Sequence, residues 1–234
     1  AKRGGVSEAL KLIQALDRRN PDSDLIVQEH ALLLAQNEEW EKAARVLRRH
    51  TFQPAHRSYR LLNTYSNIHI ALAGEAFQRG DSQGALNNLN LAANPPSNLG
   101  ADDFEARVDL RILVFRATVL DSSSEEKILS AWGEAATAIP LDDDVQRFYS
   151  SYARSRTGAE NEEQDFLENL RRKSQRDSAS PEILHLRGLL AAYDGNLEAA
   201  GKMLREAIKR DASYLPARVE LKWLKAVFKN RTEK

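Results

Sequence analysis

Apolar and small residues recur along this chain with helical spacing, and strand-like alternation is nearly absent. The stretches from Gly80 to Ala93 and from Gly195 to Ile208 both read glycine, then alanine five positions later, leucine four after that and alanine three further on. The last three positions share one face of a helix, and the glycine suits a turn before it. A small residue, Ala73 or Gly188, stands seven positions before each glycine. The pattern therefore predicts helical hairpins whose two helices approach closely.

The same frame recurs along the chain and predicts an array of repeated hairpins. Its small-residue position falls at 9, 43, 85, 128, 163 and 200, where only Ile128 and Glu163 break the preference for alanine. We expect a single solenoid with a half repeat at 1–21, hairpins at 24–54, 65–98, 105–140, 144–175 and 180–212, and a capping helix at 214–230. Solenoids need such a terminal cap over their last open face.

This pattern resembles the tetratricopeptide repeat (TPR), a helix–turn–helix unit of roughly 34 residues. When Ala85 is aligned with the small residue of the second TPR helix, Leu72, Ala73, Leu89 and Ala92 fall on other hallmark positions. The resemblance implies an all-α, right-handed superhelix of antiparallel helical hairpins. Such a fold does not by itself identify a ligand.

A narrower resemblance covers residues from about 45 to 140. The segments His50-Thr51-Phe52-x-Pro54 and Ala93-x-Pro95-x-x-Asn98-Leu99-Gly100 are similar to the C-terminal TPR region of large bacterial proteins. The N-terminal part of those proteins is the β-rich domain of unknown function 5107, which looks like a carbohydrate enzyme. From Ala55 onward this chain reads AHRSYR where they read WEGGEG. The resemblance implies a neighbouring domain that handles carbohydrate, and not catalysis in this segment.

The composition of the chain argues against several classes of partner. The 234 residues carry a formal net charge of +0, so the basic excess expected of a nucleic-acid partner is missing. The chain has no cysteine and therefore no disulfide or thiolate metal site.

No apolar run approaches the ~20 residues that span a bilayer. The chain begins without an initiator Met and without the apolar core of a signal peptide. We therefore expect a fragment of a longer protein, without a membrane partner, and favour a cytoplasmic location.

Three of the five histidines stand between residues 50 and 69 and raise the question of a metal or catalytic centre. His50 is predicted at a helix end, His56 in a loop and His69 on the packing face of a helix. No pair has the spacing of metal ligands on one helix. His30 and His185 are isolated. We expect a structural role for the first three, a packing or groove role for His30 and His185, and no metal site.

No sequence motif points to catalysis. The chain lacks the glycine-rich phosphate loops, the GxSxG elbow and the HExxH zinc motif. Its many carboxylates are expected on solvated helix faces and at helix caps. We therefore predict no catalytic residue, no cofactor and no enzymatic activity.

The TPR resemblance implies a function in protein recognition, since the first helix of each TPR unit lines a concave groove. Aromatic and arginine side chains dominate the energetics of interfaces. The predicted groove residues are Gln28, Gln36, Asn67, Phe77, Phe148, Tyr152, Arg156, His185 and Tyr193. We expect a non-catalytic interaction or scaffolding module that binds a protein, a peptide or an upstream domain of the same chain. The alternative is an accessory TPR domain packed on the catalytic β-domain of a larger bacterial carbohydrate-active protein.

The two ends of the chain carry further expectations. The first helix presents Val6, Leu10, Ile13 and Leu16 at repeat spacing, and only one side of this stripe can pack on the hairpin that follows. Exposed apolar patches promote association, so weak self-association through residues 1–16 is expected.

The last helix is amphipathic and basic. A role in covering the preceding hairpin is favoured over binding to a membrane surface or an acidic partner.

Overall fold

The computed structural model describes residues 3–53, 59–99, 109–120, 124–140, 143–158, 163–176 and 180–228. All regular structure in these ranges is helical, so the all-α prediction is confirmed. A short 3-10 helix spans Ser97–Leu99. The α-helices are α1 Arg3–Arg19, α2 Asp24–Gln36, α3 Trp40–Arg48, α4 Tyr59–Gln78, α5 Ser82–Ala93, α6 Leu110–Leu120, α7 Glu125–Thr137, α8 Asp144–Thr157, α9 Glu163–Arg176, α10 Pro181–Tyr193, α11 Leu197–Arg210 and α12 Leu215–Phe228.

Consecutive helices pack as hairpins: α2 with α3, α4 with α5, α6 with α7, α8 with α9 and α10 with α11. Each hairpin also contacts the next, so one core runs along the array, as in a solenoid. Helix α4 begins at Tyr59, before the expected residue 65, and has 20 residues. Leu61 in this added turn is fully buried and extends the apolar spacing of the helix toward its start.

Positive backbone angles mark four hairpin turns, one of them at Gly158 after α8, with φ of 82°. Gly80 and Gly195 have φ of 80° and 82°, a conformation that glycine adopts without steric cost. The first hairpin uses Glu38 instead, with φ of 63°. The side chains of Asp81 and Asn196 then accept hydrogen bonds from the backbone N–H three residues later, at 2.8 and 3.0 Å. The repeated glycine therefore marks the turn and the polar residue after it caps the second helix.

Small residues stand where the paired helices cross. Ala85 and Ala200 are fully buried. At Gly188 an added Cβ would lie 2.9 Å from the Leu204 Cγ atom, which is closer than van der Waals contact allows. The sequence pattern of small residues therefore indicates a close approach between the helices of two hairpins, α4 with α5 and α10 with α11.

Helix α1 packs on α2 with only part of its apolar surface. Leu10 is buried and Ile13 is half-buried against the core, whereas Leu12 and Leu16 are 64% and 44% exposed. The Val6 side chain lies outside the described part. The open stripe expected on this helix therefore includes Leu16, but Leu10 belongs to its packed side.

Helix α12 follows α11 and packs against it, as a covering helix must. It also contacts α10, α6 and α4, so it reaches across the array to an early hairpin. Trp223 and Phe228 of this helix are 1% and 4% exposed. Within the described ranges, no helix has both the length and the apolar character that a membrane span requires.

Candidate functional site

Helix α12 rests on a surface to which α4, α6, α8 and α10 contribute, and we call this surface the groove. These are the first helices of four successive hairpins. The side chains that join α12 to the groove fall into three sites along α12: an indole site around Trp223, a carboxylate site around Glu220 and an aromatic site around Phe228.

The indole site holds Trp223 between two aromatic rings. The Phe115 ring stacks on the indole at 4.6 Å between centroids and 15° between planes, and the Phe77 ring does so at 5.5 Å and 18°. The indole N–H donates a hydrogen bond to the Ile70 carbonyl oxygen at 3.0 Å. An added Cβ at Gly74 would lie 3.0 Å from that indole nitrogen. A small residue is thus required where α12 crosses α4.

The carboxylate site buries the Glu220 side chain, which is 1% exposed. The Tyr149 hydroxyl donates a hydrogen bond to one carboxylate oxygen at 2.9 Å. The other oxygen lies 3.1 Å from the His185 Nε2 atom, but the pair lacks the alignment of a hydrogen bond. On the other side of that ring, Nδ1 lies 2.9 Å from the Tyr214 hydroxyl. Burial and the negative charge of Glu220 raise the pKa of Tyr149, so this tyrosine stays a neutral donor.

A buried arginine lies next to the carboxylate site. Arg111 donates to an Asp109 carboxylate oxygen at 2.6 Å and to the Asn67 amide oxygen at 3.0 Å. Burial alone would raise the pKa of Asp109, but the Arg111 charge and hydrogen bonds outweigh it and lower that pKa. Gln146 adds a 3.3 Å hydrogen bond to Asp109. This network joins α4, α6 and α8, and it neutralises the arginine within the protein.

The aromatic site lies at the end of α12. The Tyr152 hydroxyl donates to the Val227 carbonyl oxygen at 2.6 Å. The Phe228 ring packs 4.9 Å from Tyr152 and 6.4 Å from Phe148. Tyr193 packs on the same two groove rings, at 6.0 Å from Phe148 and 6.4 Å from Tyr152. Aromatic rings of α8 and α10 therefore enclose the end of the helix.

Charges at one side of the groove match those of α12. Lys222 Nζ lies 3.4 Å from a Glu75 carboxylate oxygen and 3.6 Å from one of Glu38. Arg218 approaches Glu38 at 3.4 Å. Gln78 donates to the Lys222 carbonyl oxygen at 2.6 Å. Partly exposed ion pairs add little stability, so this acidic rim mainly sets the orientation of the helix.

The nine predicted groove residues differ in whether they contact α12. Phe77, Phe148, Tyr152 and His185 contact α12 directly. Asn67 and Tyr193 reach the groove through other groove residues. Arg156 instead lies over the Trp132 ring of α7 at 5.3 Å, and Gln28 and Gln36 are buried on α2.

Glu220, Trp223, Phe115 and Tyr149 were not among the site residues predicted from the sequence. A signal for the first two was present in the chain. Glu220, Trp223 and Val227 are spaced three and four residues apart and so share one helix face. A carboxylate within an apolar stripe indicates a buried polar partner, because an unpaired buried charge is costly.

Two histidines of the 50–69 stretch, His50 and His69, link separate parts of the fold. His50 Nε2 lies 2.5 Å from an Asp24 carboxylate oxygen, and the His50 carbonyl oxygen accepts from Asn98 at 2.6 Å. His69 Nδ1 lies 3.0 Å from the Asn88 amide oxygen. His56 lies outside the described residues. In the described part, no three histidine, aspartate or glutamate side chains come together as a metal site.

His30 lines a cleft of about 840 Å³ bordered by α1, α2 and α3. Its Nδ1 atom lies 2.7 Å from an Asp17 carboxylate oxygen that also accepts from Arg49. Lys42 and Arg45 line the same cleft. One carboxylate oxygen of Asp17, Oδ2, is thus paired twice, and these contacts hold α1 against the first hairpin.

The sequence matches no protein-family model and no curated protein. One matching solved structure is described as the crystal structure of YrrB, a TPR protein with an unusual peptide-binding site. It is 16% identical, the match covers 90% of this chain and 97% of that one, and the TM-score is 0.32. A match at this level carries no argument of its own. The helical-hairpin architecture rests on the contacts described above.

Proposed function

We propose that this protein is a non-catalytic interaction or scaffolding module whose groove holds an α-helix of a protein or peptide partner. The observation that carries the proposal is Trp223, whose indole stacks between Phe77 and Phe115 and donates to the backbone of α4. Helix-in-groove recognition uses anchors on one helix face, and aromatic anchors in desolvated pockets dominate such binding.

A partner helix has to compete with α12. The groove that binds it is available only in the fraction of molecules in which α12 has moved away. The apparent affinity for a partner is lowered by that fraction. A substitution that weakens the contacts between α12 and the groove should therefore strengthen the binding of a partner helix.

Binding of a synthetic α12 peptide tests the proposal. The peptide spans residues 213–228 with a fluorescent label at its N-terminus, and the protein is the full chain with Trp223→Ala. This substitution empties the indole site and leaves the groove residues unchanged. We expect fluorescence anisotropy to show saturable binding, tighter than to the unsubstituted chain. If Trp223→Ala does not fold by circular dichroism, Leu224→Ala, another buried position of α12, replaces it.

Two further substitutions locate the binding surface. Phe77→Ala, added to the weakened chain, should lower peptide affinity because it removes one wall of the indole site. Leu129→Ala removes a leucine that is 57% exposed on α7 and should leave affinity unchanged. Absence of saturable binding to either weakened chain, or equal affinity in the Phe77 and Leu129 variants, would contradict a helix-binding groove.

A second candidate function is that of an accessory domain packed on a β-rich domain of a larger protein. The exposed Leu12 and Leu16 of α1 favour it, because they offer an apolar stripe for a neighbouring domain to cover. The narrower resemblance of residues 45 to 140 supports the same candidate. In a protein where a β-rich domain precedes this chain, amide exchange in α1 should be slower than in the isolated chain. Equal exchange rates would speak against this function.

A further inference from the structure

The carboxylate site and the indole site lie at a fixed separation along the groove. Glu220 and Trp223 are three residues apart on α12, so a helix presents both on one face. Their receptors come from different helices: Tyr149 lies on α8 and His185 on α10, whereas Phe77 and Phe115 lie on α4 and α6. The packing of the array therefore sets the spacing that a bound helix must match.

The carboxylate site imposes a chemical requirement. Glu220, His185 and Tyr149 are 1%, 0% and 0% exposed, so water does not reach them while a helix is bound. A helix with an apolar residue at the Glu220 position would leave the Tyr149 hydroxyl without its acceptor. A buried donor without an acceptor weakens a complex more than a hydrogen bond strengthens it. Arg111 cannot supply the missing acceptor, because a guanidinium only donates hydrogen bonds and is here already paired with Asp109 and Asn67.

The acidic rim requires positively charged residues on either side of that carboxylate. Glu38 and Glu75 face Lys222 and Arg218, which flank Glu220 by two residues on either side. A basic flank thus meets an acidic rim, while the single carboxylate enters the groove. This arrangement discriminates against a helix with acidic flanks, since like charges would then meet.

We infer that the groove selects a partner helix with basic flanks that carries a carboxylate three residues before a tryptophan. The inference rests on the proposed function and names its class of partner. The carboxylate accepts from Tyr149 beside His185, the indole stacks between Phe77 and Phe115, and the flanking cations face the acidic rim. The occupant is a helix of another protein, which replaces α12 by reproducing its contacts.

Peptide variants test the inference with the weakened full chain, Trp223→Ala, as receptor. Three peptides of residues 213–228 are compared: the unsubstituted sequence, Glu220→Ala and Lys225→Ala. Position 225 is exposed on α12, so its change is the matched control. We expect Glu220→Ala to raise the dissociation constant at least about tenfold and Lys225→Ala to leave it unchanged. Should the Trp223→Ala chain not fold, the Leu224→Ala chain serves as receptor.

A substitution in the receptor separates recognition from helix stability. Tyr149→Phe, added to the weakened chain, removes the donor that requires the carboxylate. The preference for the unsubstituted peptide over Glu220→Ala should then fall below about threefold, because the coupling between the two side chains is lost. An effect of Glu220→Ala on the helicity of the peptide alone would persist with this receptor.

The outcomes distinguish the inference from the proposed function. Saturable binding of all three peptides with equal affinity overturns the carboxylate requirement and leaves the helix-binding groove intact. If no peptide binds, the proposed function itself fails. Should the unsubstituted chain form a dimer in light scattering that the added α12 peptide converts to monomers, the occupant is a second copy and the assignment to another protein is overturned.

Discussion

Small side chains at the hairpin crossings set how closely the paired helices approach. Ala200 is fully buried against α10, where Gly188 would admit no Cβ without displacing Leu204. Ala200→Leu should lower the free energy of unfolding by roughly 1–3 kcal/mol through overpacking. Thermal and urea unfolding measure the change. Ala93→Leu, at an exposed position of α5, is the control and should stay within about 0.5 kcal/mol. Equal stability of the two variants would show that the crossing has spare room.

His69 gives the fold a defined response to pH. Burial lowers the pKa of His69 below its ordinary 6.5, and the nearby Arg48 also lowers it, while the Asn88 hydrogen bond and Glu41 act in the opposite direction. The unfolded chain therefore takes up a proton first as pH falls. The stability that the neutral ring contributes is complete above about pH 6.5 and is lost as pH falls toward the lower pKa of the folded protein.

The test of this pH response is urea unfolding of the wild type and His69→Gln at several pH values from 8 to 5. We expect the stability of the wild type relative to the variant to decline below about pH 6.5. If the difference in unfolding free energy between the two proteins stayed constant across the pH series, His69 would have an ordinary pKa in the folded protein.

At the scale of elements, a single hydroxyl joins α8 to α12. Tyr149→Phe leaves one oxygen of the buried Glu220 carboxylate without its 2.9 Å donor. We expect a loss of about 1–3 kcal/mol in the free energy of unfolding. Tyr65→Phe is the matched control, because in the described part of the chain the Tyr65 ring packs on His69 and its hydroxyl has no hydrogen bond. If urea unfolding showed equal losses of unfolding free energy in the two variants, the placement of Glu220 in the groove would be wrong.

Sequence reasoning succeeded for the elements because their signals are local. The turn residues Gly80 and Gly195 precede the alanines Ala85 and Ala200 by the same five positions, so these helical hairpins could be predicted from the residues alone. The position of α12 could not, because its contacts with α4 and α6 join residues that are far apart in the chain. Only the folded chain brings Trp223 to Ile70, 153 residues away. Four residues predicted for the groove contact α12, and they lie on α4, α8 and α10, the first helices of their hairpins.

At the scale of the whole molecule, the exposed side of α1 predicts weak self-association. Leu12 and Leu16 lie one helical turn apart and are 64% and 44% exposed. Replacing both with glutamine should reduce association in light scattering across a concentration series, with little loss of stability. Leu10 is unsuited to this test, because it is buried and its replacement would weaken the fold. A chain that stays monomeric at every concentration before substitution would contradict the prediction.

The central claim is that α12 lies in the groove against α4, and an engineered disulfide tests it most directly. A Cβ placed at Gly74 lies 3.0 Å from the Lys222 Cβ atom, and a small shift brings the pair to the roughly 3.5–4.5 Å of a disulfide. The chain has no cysteine of its own, so Gly74→Cys with Lys222→Cys creates the sole pair. After mild oxidation, mass spectrometry should find an intramolecular bond in this variant and two free thiols in Gly74→Cys with Lys225→Cys, whose second position is exposed. Free thiols in the first variant while it remains folded, or equal bond formation in both, would contradict the placement of α12 in the groove.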